Sequence, residues 1–460
     1  MTKKLKTMWL WLLDLSWLER LWLLAPIAIW FSYLPKISLG SDATTNYELS
    51  VTLIYLIVLV VAGLPTIWRR KRKILTSKHV ILITIFTLWS ILTALWSVNF
   101  LRGLLTAGII GLIYLIFLAA WLERAKLRKI LPKMVSLLVI TSVVACLLAI
   151  VQMVIGTYIQ SRNLTGLCAG CVASQFGFVR PNLFAIEPQF LGNLLLAPTL
   201  IIYHRLITKR RNWQNSLAFI LLLTTLGLTL SRGAIYACGI GVIVIWLTVR
   251  RRWLNKLVTV DLIILAIVGC LGIQGGLAVL NPYVHETFWG AVTKSINHLS
   301  LGIVDFRPEE LKTNNDSPAP STDWSINLQQ PVYDGYVEES TDIRLNLSKI
   351  ALAAWSSQNW PHKLFGTGLG SAGIVMARQT GNSYQKEIVQ NEYIEILLER
   401  GLVGLALFGL TIAATAYKLW QSRRTWTWSI LAAYLVQWCF FSGLPNALHI
   451  YLIIIWLVLI

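Results

Sequence analysis

Apolar runs of about 17–25 residues recur from one end of this sequence to the other, the length a helix needs to cross a bilayer. Inside hydrocarbon every backbone N–H and C=O must be satisfied within its own segment, so such runs fold as helices. The expected fold is therefore all-α, a polytopic integral membrane protein with about twelve transmembrane helices. Spans are expected near 21–35, 48–67, 79–97, 103–122, 134–155, 183–204, 215–231, 233–249, 257–279, 401–419, 427–443 and 444–460. Composition agrees: 56% of the 460 residues are hydrophobic and 13% are charged, which excludes an ordinary soluble domain.

The net charge of +19 suggests a nucleic-acid partner until its distribution is read. Of the 40 Lys and Arg, 25 lie in six short clusters between spans: Lys3 to Lys6, Arg69 to Lys78, Arg124 to Lys133, Arg205 to Arg211, Arg250 to Lys256 and Lys418 to Arg424. The interval from Asn281 to Arg400 is instead net −5. Each cluster sits at the N-terminus or after an even-numbered span. This is the positive-inside pattern of a membrane protein with both termini cytoplasmic, and nucleic acid is excluded as a partner. No small-residue cleavage site follows the first cluster, so the N-terminus reads as an anchor. Three regions result. Residues 1–280 hold about nine transmembrane helices and a short outer loop near 156–182; 281–400 form a large non-cytoplasmic loop with amphipathic helices; 401–460 hold about three more spans. Within the large loop, Asn314 to Gln330 reads as a flexible excursion.

Metal and nucleotide chemistry find no support. Cys146, Cys238, Cys270 and Cys439 lie in spans as small apolar residues. Cys168 and Cys171, in the outer loop, suit a local disulfide or simple spacing better than a zinc site, which wants a second ligand pair. The six His show no metal-binding spacing, and no phosphate-binding loop survives its context test. No cofactor is expected.

The polar interval from Thr341 to Gly404 is organised differently. Thr341 is a plausible N-cap, and Leu347, Ala351 and Ala354 recur at helical spacing beside a stripe of Arg344, Ser348 and Trp355. Pro361 is expected to end that helix. Gly366, Gly368 and Gly370 then allow tight turns or close approach to a ligand. A second helix is expected to begin near Gln390, with Glu392, Glu395 and Glu399 along one side. An amphipathic helix, a glycine turn and a half-polar helix entering the bilayer make a surface suited to a lipid-borne substrate.

Charge also appears where it is costly. Arg232 lies in LTLSRGAIYA between two spans joined almost without a loop, and Arg180 and Glu187 lie in FVRPNLFAIEPQFLGN at the start of another. Intramembrane ionisable groups are functional candidates. The alternative reading is snorkelling to the interface for Arg232, a bracing ion pair for Arg180 and Glu187, and a solvated surface for Arg344. Gln390, Asn391 and Tyr393 also suit an ordinary interface.

These stretches together resemble the bacterial O-antigen ligase and O-antigen polymerase superfamily: SRGA at the end of a span, an arginine on an amphipathic helix, the LFGTGLGS turn, and QNEYIEILLERGLVG opening the next span. The resemblance covers the spans from about residue 80 onward and the large loop. It implies a membrane glycosyltransferase of the bacterial inner membrane that takes a glycan from an undecaprenyl-diphosphate carrier at the periplasmic face. It implies neither metal nor nucleotide sugar. Arg232 and Arg344 match the family's arginines. Ligases of the family carry histidine before the motif's asparagine; here Gln390 precedes Asn391. Glutamine has no titratable group, which favours a polymerase or another branch.

Displacing a diphosphate builds negative charge on the leaving group, and guanidinium groups bind phosphate in a fork without deprotonating. Arg232 and Arg344 are thus expected to hold the diphosphate, with Arg180 assisting. Glu187, Glu392 or Glu395 is expected to activate the acceptor hydroxyl, on a glycan or a lipid. Trp355, Trp360 and Tyr393 offer faces for sugar rings, although membrane-interface anchoring is common for these residues. A transporter or transport-associated protein is the alternative. It would more often carry its charges near mid-bilayer in two repeated halves, whereas here they gather at one face. A non-catalytic scaffold in an envelope assembly is a third reading.

Overall fold

The computed structural model describes residues 14–41, 46–161, 173–175, 178–185, 187–208, 212–249, 253–280, 282–300, 336–381, 388–422, 424–444 and 448–459. Lys3 to Lys6, Cys168, Cys171 and Asn314 to Gln330 lie outside them. The chain is an all-α polytopic membrane protein, and a helix lies in each expected span. In order these are α1 (Trp17–Ala28), α2 (Val51–Arg70), α3 (Lys78–Leu92), α4 (Phe100–Leu122), α5 (Arg124–Ser161), α6 (Pro188–Thr208), α7 (Trp213–Leu228), α8 (Arg232–Thr248) and α9 (Trp253–Leu280). The polar interval adds α10 (Pro282–Leu299), α11 (Tyr336–Ser356), α12 (Trp360–Phe365) and α13 (Ala372–Thr380). The chain then continues through α14 (Glu392–Ser422), α15 (Thr425–Gln437) and α16 (Leu448–Leu459). Among the described residues seven helices are long and apolar enough to cross a membrane, and three apolar helices are shorter. The strands form two short antiparallel hairpins, β1 (Lys36–Ser41) with β2 (Asn46–Ser50), and β3 (Ala173–Gln175) with β4 (Phe178–Arg180).

Helix α6 is the hub. Its apolar window is 89% buried, against 28–39% for the other long apolar helices, so it is screened from lipid by its neighbours. That burial explains how a membrane helix accommodates Gln189, Asn193 and Thr199, all buried. It packs on α7, α8 and α15, with Leu194, Leu195, Leu200, Phe219, Tyr434 and Trp438 in one continuous core. Small residues let these helices approach. A Cβ on Gly192 of α6 would stand 2.8 Å from that of Ala234 of α8, and one on Gly233 would stand 2.9 Å from that of Phe440. Close approach through small residues is the usual means of helix association in lipid.

Basic groups gather at one end of the bundle. Glu123, at the end of α4, takes Arg70 at 3.4 Å and Lys126 at 3.1 Å. Beside it the Trp121 ring is covered by Arg124 at 4.1 Å and Lys418 at 3.8 Å from its centroid. The polar interval lies at the opposite end, because α14 starts there and runs back to Lys418.

Within that interval two expectations shift. Thr341 is not an N-cap: α11 begins at Tyr336, since Glu338 and Glu339 extend the helix towards its N-terminus. Pro361 does not end α11, which stops at Ser356; it opens α12 behind the N-cap Asn359, whose side chain accepts from the His362 N–H at 3.1 Å. Proline lacks an N–H, so the first turn of a helix is where it costs least. Leu347, Ala351 and Ala354 pack with Ala372, Val375, Met376, Val389 and Leu398 into a second, smaller core.

Candidate active site

The arginines meet where α7 turns into α8. Helix α7 stops at Leu228, Leu230 reverses the chain at φ +48°, and Ser231 is extended, so Arg232 becomes the first residue of α8. Arg232 is only 6% exposed. On β4, the Arg180 Nε donates to the Thr229 carbonyl at 2.7 Å, which fixes Arg180 against the same turn. The Arg344 Nη2 of α11 donates to the Gln189 Oε1 of α6 at 2.6 Å. The Gln189 Nε2 in turn donates to the Phe440 carbonyl at 2.8 Å, and Phe440 abuts Gly233, next to Arg232. Three arginines far apart in sequence are thereby drawn to one end of α8.

His298, the penultimate residue of α10, joins them. It is buried, and the next residue, Leu299, accepts the Tyr236 hydroxyl one turn along α8 from Arg232. Burial, then the positive charges of Arg232 and Arg180 and more weakly Arg344, push its imidazole down to about 3, against a hydrogen bond with the Leu230 backbone that raises it. His298 thus lies at the same end of α8 to which the Arg180 and Arg344 hydrogen bonds lead.

A second group lies across the turn that follows α15. The Glu392 N–H donates to the Trp438 carbonyl at 2.9 Å; its carboxylate accepts from the Gly443 N–H at 3.0 Å and the Tyr451 hydroxyl at 3.2 Å. Glu395 accepts from the Ser442 hydroxyl at 2.6 Å. Asn391 caps α14, accepting from the Tyr393 N–H at 3.1 Å and the Ile394 N–H at 3.2 Å, and its Nδ2 donates to the Cys439 carbonyl at 3.3 Å. Gln390, at φ +57°, makes the sharp approach to that cap. The Tyr393 hydroxyl donates to the Leu435 carbonyl at 2.7 Å, and its ring packs on Phe408. The segment 438–443 therefore ties both groups together, through Phe440 to Gln189 and through Cys439, Ser442 and Gly443 to α14.

Other candidates stand apart. Gly366 and Gly368 adopt φ +83° and +100°, where a Cβ would collide with the Glu399 carbonyl and the Ser97 backbone. Their amide neighbours lock onto a break in α14: the Thr367 N–H donates to the Leu398 carbonyl at 3.0 Å and the Gly368 N–H to the Glu399 carbonyl at 2.9 Å. Gly401, at φ +69°, supplies the break. The close approach these glycines permit is thus to protein backbone. The Trp355 Nε1 donates to the Lys363 carbonyl at 3.3 Å and its ring packs on the smaller core, whereas Trp360 is 67% exposed. Glu187 is exposed and precedes α6, two residues before Gln189.

Gln189, His298 and the 438–443 turn escape a reading of sequence. Gln189 stood in the quoted motif as one polar residue within an apolar run, the only signal available for it. His298 carries no motif, and its position depends on where α10 ends.

Residues 217–409 match the O-antigen ligase family model. No curated protein matches the chain. The matched interval contains Arg232, His298, Arg344 and the stretch from Gln390 to Glu395; Arg180, Glu187, Gln189 and the 438–443 turn fall outside it.

Proposed function

We propose, for a chain whose residues 217–409 match the O-antigen ligase family model, a membrane glycosyltransferase that moves a glycan from an undecaprenyl-diphosphate carrier to a hydroxyl of a glycan or lipid acceptor. The reaction takes place at the periplasmic face of the bacterial inner membrane. The convergence of Arg180, Arg232 and Arg344 on the start of α8 carries this reading, because a diphosphate is the anion that needs several fixed cations at a membrane surface.

The acceptor oxygen bonds to the anomeric carbon while the bond from that carbon to the diphosphate oxygen breaks. Charge grows on the leaving diphosphate, and the three guanidinium groups hold it. Preorganised charge of this kind is typically the largest catalytic term. It supplies the compensation that a metal ion gives in other transferases. Gln189 fixes the Arg344 fork from a helix shielded from lipid. The acceptor proton passes to Glu187, which is exposed two residues before Gln189, the partner of Arg344, whereas turn contacts occupy Glu392 and Glu395. Those two hold the 438–443 segment, and with it the Gln189 anchor.

Purified protein in liposomes, given an undecaprenyl-diphosphate-linked oligosaccharide, tests this. Lengthened lipid-linked chains identify a polymerase, and transfer to a second lipid acceptor identifies a ligase. Unchanged donor with either acceptor present contradicts the proposal.

A further inference from the structure

The arginine cluster encloses a group that the transfer scheme above does not use. His298 is buried at the end of α10, hydrogen-bonded with the Leu230 backbone and held to α8 through the Tyr236 hydroxyl on Leu299. The charges acting on it come from three other elements: Arg232 on α8, Arg180 on β4 and Arg344 on α11. A histidine at this place gives no hydrophobic advantage, and a cation there would repel all three arginines. Burial first, and then the three positive charges, hold the imidazole neutral; an anion bound among those charges removes the second of these and raises its basicity.

We propose that His298 is a fourth ligand of the diphosphate site, neutral while the site is empty, that takes up one proton as the diphosphate binds and donates it in a hydrogen bond to a phosphate oxygen. This rests on the diphosphate reading of the arginine cluster. The proton comes from solvent and forms an N–H bond on the imidazole; no other bond changes on binding. In transfer the imidazolium adds its charge and its donor to the departing diphosphate, and it returns the proton to solvent when that product leaves. The empty site thus carries three protein cations, and the occupied site four, balanced by the bound anion.

The linkage has a definite sign. Without ligand the imidazole is held down at about 3. With a diphosphate bound, the anion opposes the arginines and raises its proton affinity. Between the two values binding is coupled to proton uptake, so affinity rises as pH falls, approaching about tenfold per pH unit. Above the bound-state value the dependence disappears.

The probe is P1-farnesyl P2-methyl diphosphate, whose two phosphates are both diesters and do not titrate near neutral pH. Binding to the full-length protein in nanodiscs is measured by calorimetry from pH 5 to 8, in paired buffers of different ionisation enthalpy. The wild-type protein is expected to take up close to one proton at the acid end and to bind more tightly as pH falls. His298→Gln is expected to bind with no proton uptake and a flat pH profile, whereas Glu187→Gln keeps the uptake. Wild-type binding without uptake overturns the inference and leaves the arginine site standing. Uptake that survives in His298→Gln also overturns it. No binding by wild type at any pH overturns the diphosphate reading and this inference together. The wild-type measurement needs no substitution, so a His298 variant that fails to fold does not remove the test.

Discussion

The Arg344 guanidinium donates to the Gln189 amide oxygen across 2.6 Å, joining residues 155 positions apart in sequence. The bond reaches from a helix of the polar interval to the most enclosed helix of the membrane bundle. It aims a cation from a helix whose opposite contacts are with α13 and α14 in the smaller core. A charge-assisted bond of this kind is worth about 1.5–3 kcal/mol. Gln189→Ala should therefore slow glycan transfer by about tenfold to a hundredfold. The double variant with Arg344→Ala should lose much less than the two single losses combined, since the partners act as a unit. Additive losses would show that the bond does not position Arg344.

The glycine turn should matter for stability more than for substrate. Gly366→Ala forces a Cβ into the Glu399 carbonyl at a backbone conformation that already disfavours side chains, and should cost several kcal/mol, about 3 or more. Gly381→Ala meets no neighbour within 4 Å among the described residues, at a similar φ of +70°, and should cost about 1 kcal/mol. Thermal unfolding of the detergent-solubilised protein separates them. Equal losses would mean that the turn is not locked onto α14.

Much of this arrangement is legible in the sequence. The apolar runs fix the helices, because lipid leaves the backbone no other choice. The SRGA motif places an arginine at a span end because chain reversal between two helices needs so few residues. What sequence cannot supply is direction. Glu392 and Glu395 share the beginning of α14 with Asn391, yet their oxygens are spoken for by Ser442, Gly443 and Tyr451 from segments about 50 residues later. The glycines of LFGTGLGS signal close approach, and only the structure shows the approaching partner to be the kinked α14. His298 becomes part of the site through the packing of α10, which no local pattern encodes.

Carboxylate substitutions should divide accordingly. Glu187→Gln should cost about 10²-fold or more in transfer rate while leaving the unfolding midpoint near wild type, because the residue is exposed. Glu392→Gln should lower both, since its carboxylate accepts from two donors in a buried site. If Glu187→Gln transfers at the wild-type rate, the acceptor proton is not taken by that carboxylate.

The proposed orientation puts the basic end of the bundle in the cytoplasm. A cysteine replacing Trp360 should react with an impermeant maleimide from the periplasmic side, and one replacing Lys126 only from the cytoplasmic side, each read against the unmodified chain. Labelling of both from the same side would contradict the proposed orientation.

The central claim is that the three arginines clamp a diphosphate, and Arg→Lys substitution tests it most directly because it keeps the charge and removes the planar fork. Transfer from an undecaprenyl-diphosphate-linked donor is measured for Arg232→Lys, Arg344→Lys and Arg378→Lys at equal amounts of folded protein. Arg378 is exposed near the end of α13 and serves as the control. The account predicts losses of about 10²–10³ in rate for the first two and near-normal transfer for the third. Equal activity of all three would contradict it.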